Sequence, residues 1–374
     1  MISDSYGITN HSSLITNHSS LLMNFSEQLA KWYLLNKREL PWRESSNPYH
    51  IWISEIILQQ TRVNQGLTYY ERFIRRFPDV ISLSEANEDE VLKCWQGLGY
   101  YSRARNLHTT ARTITSLHNG VFPVDYQTIL KLKGIGEYTA AAICSFAYRL
   151  PYAVVDGNVF RLLSRFFGIQ TPIDGNEGKK EFSELAQELL DKKNPGPHNQ
   201  AMMDLGAIIC TPSSPYCNEC PLQDGCYSFA NRSWMNFPVK KQKTKQRNRY
   251  FHYFHITGEN GKTYLHKREE KDIWRNLYEL PLIETERELS EEEIRKKSGF
   301  QLLETEFENM QIKKIHPPIK HVLSHQHIYA RFLEVEATYR KLENSIFLEI
   351  DKSKIGDYAI SRLTDIFLGE MLSR

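Results

Sequence analysis

The sequence has no long apolar run, little cysteine and almost no excess of either charge, and each shortage excludes something. No stretch approaches the roughly 18 apolar residues of a membrane-crossing helix, so no membrane partner is expected. The first twenty residues are rich in Asn, Ser, Thr and His and lack both a basic start and an apolar core, so no secretory signal is read there. A cytoplasmic protein with reduced cysteines is the expectation. The net charge of +2, from 47 basic and 45 acidic residues, excludes a generally basic, histone-like binder. It leaves room for local charge, and the excess is local: residues 233–249 hold Lys240, Lys241, Lys243, Lys245, Arg247 and Arg249 and no acid. No flavin or dinucleotide fingerprint is present.

A chain of 374 residues is expected to form two or three domains. Residues 1–23 contain a tandem heptapeptide, Ile8–Leu14 then Ile15–Leu21, too short and too polar for a solenoid. They read as a disordered tail, and translated upstream repeat DNA with Met23 as the natural start is the sharper hypothesis. From Phe25 to about Ala230 apolar residues recur at helical spacing, as in Ile51–Leu58, Leu67–Ile74, Ile129–Leu132 and Val159–Phe167. Residues 233–249 lack apolar periodicity and read as a basic interdomain linker. Beyond Tyr250, alternating strands at Tyr250–Thr257 and His327–Ala337 surround a Glu-rich helix near Ser290–Lys297. The fold is therefore mainly α, with an all-α unit at 24–232 and an α+β unit at 250–374.

Four of the six cysteines form a C-x6-C-x2-C-x5-C run, Cys210, Cys217, Cys220 and Cys226. Four soft ligands in so short a loop suit a [4Fe-4S] cluster better than zinc, whose four-cysteine sites usually show two C-x2-C knuckles. Cys94 and Cys144 lie in apolar helical contexts and read as core residues. Leu132-Lys-Gly-Ile-Gly-Glu-Tyr-Thr139 closes one helix and opens another; Gly134 and Gly136 permit a tight turn whose amides, with Lys133 alongside, can grip a phosphate without reading sequence. The plain alternative is an ordinary helix–helix turn.

Two carboxylates stand in opposed settings. Glu55 lies in Ile51-Trp-Ile-Ser-Glu-Ile-Ile-Leu58, where burial should raise its pKa and make it a general acid; a buried Glu paired with Arg is the competing reading. Asp156, in Ala153-Val-Val-Asp-Gly-Asn158, precedes a helix; as an N-cap it should stay ionised and could stabilise developing positive charge. One protonated and one ionised carboxylate is what glycosidic cleavage requires.

With these motifs the chain resembles the helix-hairpin-helix DNA glycosylases of the endonuclease III superfamily, and within them the adenine glycosylases of the MutY type. The resemblance rests on Leu40-Pro-Trp-Arg43, Trp52–Thr61, Gly97–Asn106, the Gly134–Tyr138 hairpin, Val154–Asn158, Met202-Met-Asp-Leu-Gly206 and the cysteine loop. It implies a six-helix part at about 45–150 and a cluster part at 24–44 plus 151–232. It implies a monomeric enzyme of base excision repair whose partner is double-stranded DNA carrying 8-oxoguanine:adenine or guanine:adenine mispairs. Glu55 would protonate the flipped adenine at N7 and Asp156 would stabilise the sugar cation, with Tyr138 and Asn158 assisting by hydrogen bonds. Arg43, Gln60, Thr61, Tyr100, Lys133, Gly134 and Gly136 would contact DNA. Tyr138 stands where strand-nicking relatives carry a nucleophilic Lys, so no lyase activity is expected.

The C-terminal unit resembles MutT-like (Nudix-like) domains through Trp274-Arg-Asn-Leu-Tyr-Glu-Leu-Pro281. Arg287-Glu-Leu-Ser-Glu-Glu292 matches the core of a Nudix box but lacks its glycines, so a solvated acidic helix start is expected. Leu323-Ser324-His325 stands where the family places a Phe-Ser-His segment that reads 8-oxoguanine, which assigns Ser324 and His325 to the lesion. His321, His325 and His327 lack the companions of a zinc site. Rival readings are a thymine or uracil mismatch glycosylase on this fold and a non-catalytic mismatch-binding protein.

Overall fold

The computed structural model describes residues 11–241, 246–258, 261–340 and 342–372. Among these, no helix is long and apolar enough to cross a membrane. The chain divides into two compact units, Met1–Gln60 with Leu117–Gln242, and Thr61–Ser116 with Lys243–Arg374. This division cuts through the segment 24–232 that sequence periodicity sets apart. Polar ties explain the grouping of residues 61–116 with the C-terminal part: Asp89 accepts from Lys267 Nζ at 2.5 Å and Tyr278 Oη at 3.0 Å, and Lys93 Nζ donates to the Tyr358 carbonyl at 3.1 Å.

The first unit is helical. The Pro48–Leu58 helix starts with Asn47 accepting from the Tyr49 amide, and Pro48 occupies the first turn, where it costs no hydrogen bond. Its residues 51–57 are all buried, so it is enclosed on every side. The helices His11–Asn36, Gly157–Phe167, Asn176–Leu189 and Pro195–Ile208 share one core built on Phe25, Leu29, Leu163, Phe182 and Leu205. Of the expected disordered tail, residues 1–10 lie outside the described residues and the remainder is the start of the His11–Asn36 helix. Phe25, Leu29 and Tyr33 are buried and anchor that helix.

Among the described residues, the second unit holds helices Val63–Arg76 and Glu88–Trp95, the helix Ser102–Leu117 up to Ser116, and an eight-stranded sheet. Strand Arg247–Thr257 runs parallel to Gln326–Tyr339 at its centre, with Phe251 opposite Ala330 and Tyr253 opposite Phe332. Alternation sorts the side chains onto two faces. Phe251, Tyr253, Ala330 and Phe332 pack with the Arg362–Leu372 helix, whereas Phe254, Ile256, Leu333 and Val335 pack with Ser298–Glu306. The α+β expectation holds, and the acidic helix Glu291–Arg295 opens with a Ser290/Glu293 capping box.

One expectation for the linker needs correction. The strand begins at Arg247, inside the stretch read as linker, and Arg249 is 5% exposed. Its guanidinium binds Asp272 (2.5 and 3.0 Å) and Glu284 (2.6 and 2.7 Å), so it is a core cation rather than a DNA contact. Arg247 lies 3.6 Å from Glu284. Lys243 and Lys245 lie outside the described residues.

Candidate active site

Glu55 and Tyr138 come from two helices of the first unit. Tyr138 occupies the first turn of the Glu137–Tyr148 helix, and its hydroxyl donates to Glu55 Oε2 at 2.6 Å. Burial dominates at Glu55 and pushes its pKa up to about 7, against the Tyr138 hydrogen bond and Arg43, with Asp156 adding to the rise. The Tyr138 hydroxyl is pushed well above its ordinary range by burial and by Glu55, so it remains a donor.

Asp156 caps the Gly157–Phe167 helix, accepting from the amides of Asn158 (2.9 Å) and Val159 (2.8 Å) and from Asn158 Nδ2 (2.7 Å). Those bonds favour the anion, yet burial outweighs them and the net shift is upward. The expected cap is present, and its three hydrogen bonds offset part of the cost of burial. Asn158 is itself held: Arg161 Nη2 donates to its Oδ1 at 2.8 Å and to the Gly206 carbonyl at 2.6 Å, and Arg161 Nε donates to the Cys210 carbonyl at 2.7 Å. Gly206 permits this approach, because a Cβ there would lie 2.7 Å from the Asn158 carbonyl oxygen. Arg161 escaped sequence reading; its signal is the i+3 spacing from Asn158 on one helix face.

Arg43 is not a free cation. It forms a double hydrogen bond with Asp204 at 2.7 and 2.8 Å, and Asp204 is wholly buried. Asp204 lies in Met202–Gly206, 161 positions from Arg43, and no local sequence signal announces the pairing.

The hairpin has the expected build. Gly134 holds φ +81°, Leu132 and Ile135 are buried beneath it, and Gly136 caps the following helix with no side-chain hydrogen bond to its amides. Lys133 is exposed beside it. Gln60 and Tyr100 both adopt the left-handed backbone, φ 61° and 47°, which is costly for non-glycine residues and collects at functional positions. Tyr100 is 51% exposed, Gln60 is exposed, and Thr61 is half-buried.

Cys210, Cys217, Cys220 and Cys226, none in a disulfide, line one cavity with Leu162, Phe166 and Leu222. Arg165 steadies the loop, donating to the carbonyls of Thr211 (2.7 Å) and Pro212 (2.8 Å) and lying 3.5 Å from Cys210 Sγ. Among the described residues no three His, Cys, Asp or Glu side chains close round one metal ion. Four sulfurs spread around a shared, largely apolar cavity suit a wider group such as a cubane cluster. Cys144 is buried as expected; Cys94 is half-buried.

In the second unit, Ser324 and His325 form the exposed tip of the turn between strands Ile319–Val322 and Gln326–Tyr339, with the Leu323 amide bonded to the Gln326 carbonyl at 2.9 Å. Leu323 packs against the sheet core. Within the Nudix-like box, Glu288 pairs with Arg331, Glu291 with Arg295, and Arg287 with Glu293 just beyond it.

Residues 53–192 match the HhH-GPD superfamily of base excision DNA repair proteins, and residues 252–368 match the NUDIX domain. The chain is 36% identical over 310 residues to an adenine DNA glycosylase of Buchnera aphidicola subsp. Baizongia pistaciae, covering 81% of this chain and 83% of that protein. Its likeness to the enzyme of the same name from Buchnera aphidicola subsp. Schizaphis graminum is 37% over 258 residues, or 69% and 74% of the two chains. A solved thermostable thymine-DNA glycosylase superposes with a TM-score of 0.54 at 28% identity, covering 57% of this chain and 99% of that one. Over most of its length, and across both of its matched domains, this chain belongs to the adenine DNA glycosylase family.

Proposed function

We propose that this protein hydrolyses the N-glycosidic bond of adenine in DNA where the adenine faces 8-oxoguanine or guanine. The observation that carries the reading is the buried Glu55, with a pKa of about 7 and a hydrogen-bonded Tyr138, in the electrostatic reach of Asp156. At neutral pH a large fraction of Glu55 is protonated and can give its proton to N7 of an adenine flipped out of the stack. The C1′–N9 bond then breaks with its electron pair going to the base. Asp156 stabilises the cation left on the sugar. A water adds to C1′, and its proton returns to Glu55, so the enzyme ends as it began. Asn158, fixed by Arg161, aligns Asp156 for this task.

Tyr138 offers no amine for a Schiff base, so the reaction stops at the abasic site. The Gly134–Gly136 hairpin, with Lys133, holds a backbone phosphate. Gln60, Thr61 and Tyr100 engage the opened duplex, and Ser324 and His325 read the lesion opposite. Arg43 acts on Glu55 through its charge, favouring the anion. Cys210, Cys217, Cys220 and Cys226 hold a [4Fe-4S] cluster, which when bound cross-links the loop through four thiolates. Iron analysis of anaerobically purified protein tests that assignment, with about four iron atoms per chain expected.

The deciding experiment is chromatographic detection of the free base released from four duplexes: 8-oxoguanine:adenine, guanine:adenine, guanine:thymine and guanine:uracil. Adenine release from the first two, with the strand left intact, is expected. Release of thymine or uracil alone would favour the rival enzyme reading, and binding without any release the non-catalytic one.

A further inference from the structure

Asp204 has no part in the steps above, yet it is a fully buried carboxylate shared by two arginines. It projects from the Pro195–Ile208 helix with none of its side chain exposed. Arg43 grips it through Nη1 to Oδ2 (2.7 Å) and Nη2 to Oδ1 (2.8 Å). Arg38 donates Nε to Oδ1 at 2.7 Å, adds a contact through Nη2, and offers its backbone amide to Oδ2 at 3.4 Å. Nearby, the Tyr33 hydroxyl donates to Gln200 Oε1 at 2.6 Å. Two guanidinium groups therefore share one enclosed carboxylate.

The groups acting on Glu55 come from three other elements: Tyr138 from the Glu137–Tyr148 helix, Asp156 from the cap of Gly157–Phe167, and Arg43 from Pro41–Glu44. Arg43 is the cation among them. Its side chain is 10% exposed, so solvent screens its charge poorly. Arg43 is in turn held by Asp204, which Arg38 also grips, so the charge on Asp204 offsets the charge that Arg43 presents to Glu55.

We propose that Asp204 is a positioning residue for the excision reaction: by clamping Arg38 and Arg43 it fixes and partly neutralises the cation beside Glu55, and so sets how firmly Glu55 keeps its proton. The inference rests on the reading of Glu55 as the proton donor. With Asp204 uncharged, two unbalanced guanidinium groups would favour the Glu55 anion, and the proton would be lost at lower pH. With Arg43 uncharged, the opposite follows.

The test is single-turnover adenine release at saturating 8-oxoguanine:adenine duplex, from about pH 5 to about pH 9, for wild type, Asp204→Asn, Asp204→Glu and Arg43→Gln. The alkaline limb should move down by about one pH unit in Asp204→Asn, stay near wild type in Asp204→Glu, and move up in Arg43→Gln. A merely structural role would lower melting temperature and rate while leaving every limb in place, and that result overturns the proposal. If Asp204→Asn does not fold, as a buried unpaired guanidinium could cause, Arg43→Gln decides alone: an unmoved limb refutes the idea. A Glu55→Gln protein that still excises adenine would instead remove the reading beneath it.

Discussion

The Tyr138 hydroxyl donates a 2.6 Å hydrogen bond to Oε2 of Glu55, joining the first turn after the hairpin to a helix that is enclosed on every side. This bond favours the Glu55 anion and so opposes the burial that pushes the pKa up. Tyr138→Phe should therefore raise the Glu55 pKa by about one unit and carry the alkaline limb of the excision profile upward. Single-turnover rates against pH check this; a limb that moves down would mean the bond serves the protonated form instead.

Glu55 also has a measurable cost to stability. Its pKa rises from 4.5 to about 7 on folding, so the folded state binds this proton more tightly than the unfolded one. The stabilisation is fully present below about pH 4.5 and is lost as pH rises through 7, a change of roughly 3 kcal/mol. Glu55→Gln has no charge to bury. Scanning calorimetry should show it melting above wild type at about pH 8, with the gap closing towards about pH 5.

Asp156 can be separated into cap and charge. Asparagine keeps an oxygen for the amides of Asn158 and Val159 but carries no charge. Because burial raises the Asp156 pKa, the anion is not a net stabiliser. Asp156→Asn should thus keep the helix cap and lose only the Asn158 Nδ2 bond, a small change in melting, while excision falls about 10²- to 10³-fold. Equal losses in melting temperature and in rate would point to the cap alone.

Arg249 separates core charge from DNA-facing charge. Removing it strands Asp272 and Glu284, and Arg249→Ala should cost about 3 kcal/mol in denaturant unfolding. It should leave the salt dependence of DNA binding unchanged, whereas Lys240→Ala with Lys241→Ala should reduce that slope by about two.

Much of this was legible in the sequence because the signals are local. Helical spacing located Pro48–Leu58 and Gly157–Phe167, the two glycines located the hairpin, and an apolar surround marked Glu55. What was not legible depends on residues brought together from far apart. Asp204 meets Arg43 across 161 positions, and Arg161 reaches Cys210 across 49, with no periodicity to announce either pair. Arg249 misled for a related reason: in the chain it looks like one of six linker cations, and only the sheet pairing that begins at Arg247 draws it inside.

The central claim is that a protonated Glu55 drives adenine release, and the pH dependence of one rate tests it most directly. Single-turnover excision from an 8-oxoguanine:adenine duplex should be sustained below about pH 7 and fall about tenfold per unit above it. Glu55→Gln should bind the same duplex with unchanged affinity and release adenine at least about 10²-fold more slowly at every pH. A wild-type rate that rises through pH 7, or a Glu55→Gln protein that retains excision, would contradict the account.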